Sequence, residues 1–300
     1  MVDTLDLQFP PPPSGDGAAF APGYPIRIES DVPRLGTPLR EIFGAFEVED
    51  AQSPETTYQV RPARPREKGF RLRVGGKNVS VHRERHRLLF ELEWLIVNEV
   101  VFNPNPYFLI HAALVSREGR TVLLPGSRRS GKTTLALGLV LRGWRYLSDD
   151  ISPICPDTLM AVPFPRNFYV RKDVRPLLAA DSRREGNGPR VRPRKPIKEF
   201  VSPNRLWEGS LGGPSRVTHI FFPAYRPGAT PAIAPLGPAA AVSRLAAHSW
   251  GIYLFGKKGV EILADLVGGA ECGELTAGPV EETCALVEDA CGLGRGGLRP

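Results

Sequence analysis

The sequence predicts an α/β fold, and three adjoining stretches carry that expectation. Thr121-Val122-Leu123-Leu124 is an apolar run of strand length, and Thr134 to Arg142 has the composition of a helix. After Gly143, a natural helix cap, Trp144-Arg145-Tyr146-Leu147-Ser148 reads as the next strand and stops at Asp149-Asp150. Strand, helix and strand in succession are the unit from which helix-covered sheets are built.

Between the first strand and the helix lies Gly126-Ser127-Arg128-Arg129-Ser130-Gly131-Lys132-Thr133, which fits G-x-x-x-x-G-K-[ST] at every fixed position. The flanking strand and helix are the context such a loop needs before it can be read as a phosphate cradle. Backbone N–H groups of the loop and of the helix start, through Thr134, are expected to converge on an anion. Lys132 is expected at the β- and γ-phosphates, and the Thr133 hydroxyl at Mg²⁺. The acidic pair, one crossover away, ends a strand where open α/β sheets bind ligands. Alternate strand residues point to opposite faces, so Asp149 takes the greater weight, while Asp150 equally suits a turn cap.

The chain as a whole supports this picture without sharpening it. Its 300 residues are 42% hydrophobic and 24% charged, which is ordinary globular composition with enough length for a sizeable core. Proline (31) and glycine (31) imply extensive loops, and a net charge of +7 suits nucleotides, acidic peptides or nucleic acid equally. Cys155, Cys272, Cys284 and Cys291 form no C-x-x-C pair, which argues against zinc and against a disulfide framework. Residues 1–6 are acidic rather than apolar, and no stretch reaches the ~20 apolar residues of a membrane span, so a cytoplasmic protein without membrane contact is expected.

Taken in order, residues 1–23, with Pro10 to Pro13 at their centre, are expected to be a flexible leader. A β/α region packed on the core follows over 24–102. It includes a hairpin of Phe70–Val74 and Val79–His82 across Gly75-Gly76-Lys77-Asn78, and a helix from about Glu84 to Phe102 bearing Leu88, Leu92, Leu95, Ile96 and Val100 on one face. Asn103-Pro104-Asn105-Pro106 ends that helix and opens the main domain, 103–291. There, Phe108 to Val115 reads as one strand carrying His111, and short strands are expected over 151–180. Residues 183–205 form an arginine-rich stretch expected to be a mobile basic loop. Val217–Phe222 reads as a buried strand, 239–250, 260–267 and 280–291 as helices, and 292–300 as a fraying tail. Aromatic residues are scarce in 183–205, so base-stacking partners for nucleic acid are missing.

One constellation goes further. His111 lies 15 residues before Gly126, and Arg142-Gly143-Trp144-Arg145-Tyr146-Leu147-Ser148-Asp149-Asp150 closes the strand after the loop helix. This combination resembles the catalytic domain of the HPr kinase/phosphorylase family, with its histidine strand, phosphate loop and R-G-x-x-x-x-x-D-D ending. It is closer still to the HPr-kinase-related proteins associated with peptide-modification gene clusters. The resemblance is firm over about residues 107–152 and looser from there to about 290. It implies a P-loop kinase core related to phosphoenolpyruvate carboxykinase. The activity it implies is ATP- and Mg²⁺-dependent phosphorylation of a serine on a peptide or small protein. Lys132 and Thr133 would hold phosphate and metal, Asp149 would accept the hydroxyl proton, His111 would lie in the same site, and Asp150 would be a second metal ligand. The family also forms oligomers, so a homo-oligomer is an expectation.

Three departures stand against that pattern. Arg129 occupies the place of the family's third glycine, so either φ stays negative there or the residue is strained. The family's later metal-binding glutamate has no match, Asp173 being the nearest acid. The family's downstream arginine has only Arg166 and the 190–198 cluster as candidates. Phosphorylase activity is accordingly not expected. The alternatives are a catalytically reduced nucleotide-binding scaffold and a small-molecule kinase.

Overall fold

A computed structural model describes residues 2–9, 24–49, 53–64, 67–102, 107–170 and 200–294. It is a mixed α/β structure of two compact units, Met1–Asn105 with Arg194–Ser202, and Pro106–Pro193 with Pro203–Pro300. Among the described residues, no helix is long and apolar enough to cross a membrane.

The first unit is built on a six-stranded sheet. Its strands are β1 (Asp3–Phe9), β2 (Tyr24–Ser30), β3 (Glu47–Val48), β4 (Thr56–Pro62), β5 (Phe70–Val74) and β6 (Lys77–His82), in the order β3-β1-β2-β4-β5-β6. The leader expected over 1–23 is thus a strand for residues 3–9, and residues 1 and 10–23 lie outside the described residues. Leu5, Leu7 and Phe9 alternate inward and oppose Ile28, Ile26 and Tyr24 across the β1–β2 ladder, so apolar period-2 patterning outweighs the prolines that follow. Helix α1 (Gly36–Phe43) buries Leu39, Ile42 and Phe43, and α2 (Arg85–Phe102) buries Leu88, Leu92, Ile96 and Val100. The β5–β6 hairpin forms as expected, but Val79 and Val81 face outward while Leu72 is buried. Glu99 on α2 ties the helix to the sheet by accepting hydrogen bonds from the Tyr24, Thr56 and Tyr58 hydroxyls.

The second unit begins with β7 (Phe108–Ile110) and β8 (Ala112–Arg117). It continues through β9 (Arg120–Pro125), helix α3 (Lys132–Leu141), β10 (Arg145–Ser148), β11 (Ser152–Ile154), β12 (Met160–Ala161) and β13 (Phe168–Tyr169). Residues 183–199 of the expected basic loop lie outside the described residues, and β14 (Phe200–Val201) belongs by residue range to the first unit. Then come β15 (Ser215–Arg216), β16 (His219–Tyr225), β17 (Ala232–Pro235), α4 (Pro238–Ala247), β18 (Ser249–Trp250), α5 (Ile252–Phe255), α6 (Lys257–Gly268), β19 (Glu271–Ala277) and α7 (Val280–Ala290). A six-stranded sheet runs β10-β8-β9-β16-β19-β17, parallel at β9–β16 and β16–β19 and antiparallel elsewhere. A five-stranded antiparallel sheet runs β15-β12-β11-β7-β18.

The strand expected over 108–115 is therefore two strands in different sheets, broken at His111. Phe108, Ile110, Ala112, Leu114, Leu123, Ile154, Ile220 and Leu263 belong to one buried cluster, so both arms of the corner share a core. The loop helix ends as the sequence suggests. Gly143 takes φ +94 and donates to Val140 O at 3.0 Å, while Trp144 N–H reaches Leu139 O at 3.1 Å.

Candidate active site

The phosphate loop joins β9 to α3 and is supported from β16. Tyr225 N–H donates to Ser130 O at 3.1 Å, and a Cβ on Gly131, whose φ is +99, would come within 3.3 Å of the Tyr225 Cβ. Gly126 is equally constrained, because a Cβ there would meet Ser130 Oγ at 2.6 Å. Arg129 adopts φ +68, the left-handed conformation that glycine occupies at least cost, so the strained alternative is the one realised. Ser127, Arg128 and Arg129 are exposed, Gly126 is buried, and Ser130, Gly131 and Thr133 lie between those extremes. Thr134 opens the first turn of α3 beside Thr133.

Lys132 is only 5% exposed and turns back onto the loop, donating to Gly126 O at 2.7 Å and Ser127 O at 3.2 Å. Its Nζ also lies 3.5 Å from His111 Nε2 and 3.8 Å from the Asp150 carboxylate. Burial lowers the lysine's proton affinity, and Asp150 and Asp149 oppose that shift.

The two acids, which strand alternation alone need not turn to the same side, have different surroundings. Both lie beyond the end of β10, and Asp150 takes φ +68, so strand alternation no longer governs their directions. Asp149 is 4% exposed and accepts a hydrogen bond from the Thr133 side chain, and its Oδ1 is buried without a partner. Burial first, and the neighbouring Asp150 charge second, raise its proton affinity to a pKa of about 7. Asp150 keeps 45% of its side chain exposed and sits 3.4 Å from His111 Nε2. Burial alone would raise it, but the His111 hydrogen bond together with Arg166 and Lys132 outweighs that and holds it below the ordinary carboxylate range.

Arg166, one of the two arginine candidates, is thereby within electrostatic reach of both acids, and Tyr146 Oη fixes its backbone carbonyl at 2.8 Å. The other candidate, 190–198, and Asp173 lie outside the described residues. Sequence reasoning missed the aromatic surroundings of His111, where Trp250 stacks on the imidazole and His248 meets it edge-on. A two-residue strand placed more than a hundred residues downstream leaves no local signal of such a contact.

Among the described residues, no group of three or more His, Cys, Asp or Glu side chains could hold a metal by itself. Mg²⁺ does not require one, since it is commonly bound by one or two carboxylates together with substrate phosphates. The partnerless Asp149 Oδ1 beside Thr133 would fit a cation, and the equally partnerless buried Ser130 Oγ in the loop would fit a phosphate oxygen.

No family model matches the chain, and no curated protein matches it. Among solved structures it is similar to the Hpr(Ser) kinase/phosphatase from Coxiella burnetii, at 15% identity and a TM-score of 0.27. That alignment covers 40% of this chain and 60% of the other.

Proposed function

We propose that the second unit is an ATP- and Mg²⁺-dependent kinase of the HPr-kinase-like kind, moving the γ-phosphate to a hydroxyl, with serine on a peptide or small protein as the acceptor. One observation carries this reading. The loop lysine, the loop threonine, two carboxylates just past a strand end and a histidine lie next to one another, with one carboxylate turned to the threonine and the other to the histidine and lysine.

In this reading the amides of Gly126 to Thr134 and the Lys132 ammonium hold the triphosphate, with Lys132 giving up its loop carbonyls for phosphate oxygens. Thr133 and Asp149 would hold Mg²⁺, whose bound charge would offset the negative charge gathering on the transferred group. The sequence favoured Asp149 as proton acceptor and Asp150 as metal ligand; we propose the reverse, because a base must first be within reach of its proton. Asp150 is the accessible carboxylate and His111 orients it, whereas Asp149 is closed off against Thr133. The acceptor oxygen then bonds to the γ-phosphorus, the bond to the β-phosphate bridging oxygen breaks, and the hydroxyl proton passes to Asp150. Arg166 adds positive charge beside both acids.

The test is incubation of the full chain with γ-labelled ATP, Mg²⁺ and co-purifying peptides and proteins, read by phosphosite mass spectrometry. Label on serine that disappears with Lys132→Ala supports the reading. Label on a metabolite moves the assignment to small-molecule phosphorylation. ATP binding with no transfer across the whole screen favours the nucleotide-binding scaffold.

A further inference from the structure

His111 stands at the corner where the chain leaves one sheet for the other, so its side chain has no regular strand neighbour to set its orientation. Support comes instead from the α4–β18 corner. The His111 amide donates to the His248 carbonyl at 2.6 Å, and β18 pairs with β7 through Ser249↔Ile110 and Trp250↔Leu109. That pairing brings Trp250 to the imidazole, with ring centroids 5.2 Å apart and planes 16° from parallel. The His248 ring closes from a third direction at 6.4 Å and 68°. On the far edge of the imidazole, Nε2 faces Asp150 at 3.4 Å and Lys132 Nζ at 3.5 Å.

We propose that Trp250 is a positioning residue for the candidate active site: its indole sets the plane of the His111 ring and thereby aims Nε2 at Asp150. The inference rests on the kinase reading for its consequence, because Asp150 is there the carboxylate that meets the acceptor. The residue type matters. An offset stack defines the plane of a neighbouring ring, whereas an aliphatic side chain of similar bulk fills space without fixing a plane. A carboxylate oriented by a histidine whose ring plane is set by packing depends on that packing for its direction, as supporting contacts around a reactive group generally show.

The experiment compares the full chain with its Trp250→Phe and Trp250→Leu variants, His111→Gln serving to assign the His111 signals. In wild type, indole ring current should displace the His111 ring C–H resonances upfield. Trp250→Phe should keep part of that displacement, and Trp250→Leu should abolish it while amide signals away from the corner stay in place. In phosphoryl transfer, Trp250→Leu should lower kcat about tenfold with the KM for ATP little changed, and Trp250→Phe should restore most of the loss. His111 resonances identical in wild type and Trp250→Leu would overturn the stack. Displaced resonances with unchanged kcat would overturn the positioning role. Wild-type protein that transfers nothing would overturn the kinase reading, while the ring shifts would still decide whether Trp250 sets the imidazole.

Discussion

The segment from Arg142 to Asp150 places a buried acid's partners at one end and a buried acid at the other, and the two ends are treated in opposite ways. At its start, Arg142 donates to Glu288 of α7 through Nε at 3.0 Å and also through Nη2, and the Trp144 indole N–H adds a contact at 3.2 Å. Arg117 approaches the same carboxylate at 3.4 Å. At its end, Asp149 is as deeply buried as Glu288 but has the Thr133 hydrogen bond and a partnerless Oδ1. Burying a carboxylate is tolerable when donors replace its water, so Glu288 reads as an anchor. It holds α7 against the loop helix, where a Cβ on Gly138 would come within 2.8 Å of Cys284 Sγ. Asp149 has no comparable set of donors, which is why the proposed kinase reading gives it the metal.

Four substitutions break or sharpen that contrast. The largest effect belongs to Lys132→Ala, which should reduce phosphoryl transfer by more than about a thousandfold in a labelled-ATP assay while leaving the thermal unfolding temperature near wild type. Glu288→Gln comes next, as a stability effect alone. Leaving Arg142 without its acid, and Arg117 with only the exposed Glu118, should cost roughly 3 kcal/mol in urea unfolding, the full range for a buried pair being reduced by the arginines' partial exposure.

The opposite sign is expected at Asp149. Its folded pKa of about 7 lies above the ordinary 3.8, so the folded state binds more protons than the unfolded state between those values. The Asp149 contribution to the stability of the nucleotide- and metal-free protein should therefore fall as pH rises from about 4 to 7, and Asp149→Asn should remove that component. The buried His219 and His248, whose proton affinity is lowered, act in the opposite sense below about 6.5. The variant should be more stable than wild type at pH 8 by an amount on the order of 1–3 kcal/mol, measured by urea unfolding in EDTA. Smallest is Arg129→Gly, which relieves a left-handed non-glycine residue and should stabilise the protein by about 1 kcal/mol in the same assay.

Much of the site was legible because its parts are close in sequence. The loop, its helix, the Gly143 cap and the acidic pair are all adjacent, and each follows from composition and spacing. What was not legible depends on distant pairing. Nothing local says that the Phe108–Val115 run must break at His111, because both halves are equally apolar and only the two sheets distinguish them. Nor does a Ser249-Trp250 strand betray itself, since its partner Leu109 is 141 residues away. The β1 strand illustrates a different loss, its Leu5-Leu7-Phe9 alternation being masked by the proline run that follows. Strand alternation does not extend to Asp150, because the positive φ there ends the strand's geometry.

The most direct test is the rate of γ-phosphate transfer as a function of Mg²⁺ concentration for wild type, Asp149→Asn and Asp150→Asn. Asp149→Asn should need at least about tenfold more Mg²⁺ yet recover part of its rate at saturation, as expected for loss of a metal-side ligand. Asp150→Asn should stay slow, by about a hundredfold or more, at every Mg²⁺ concentration. The reverse pattern would return the base to Asp149 and the metal to Asp150. A wild-type protein that binds ATP and Mg²⁺ but transfers nothing would contradict the account at its centre.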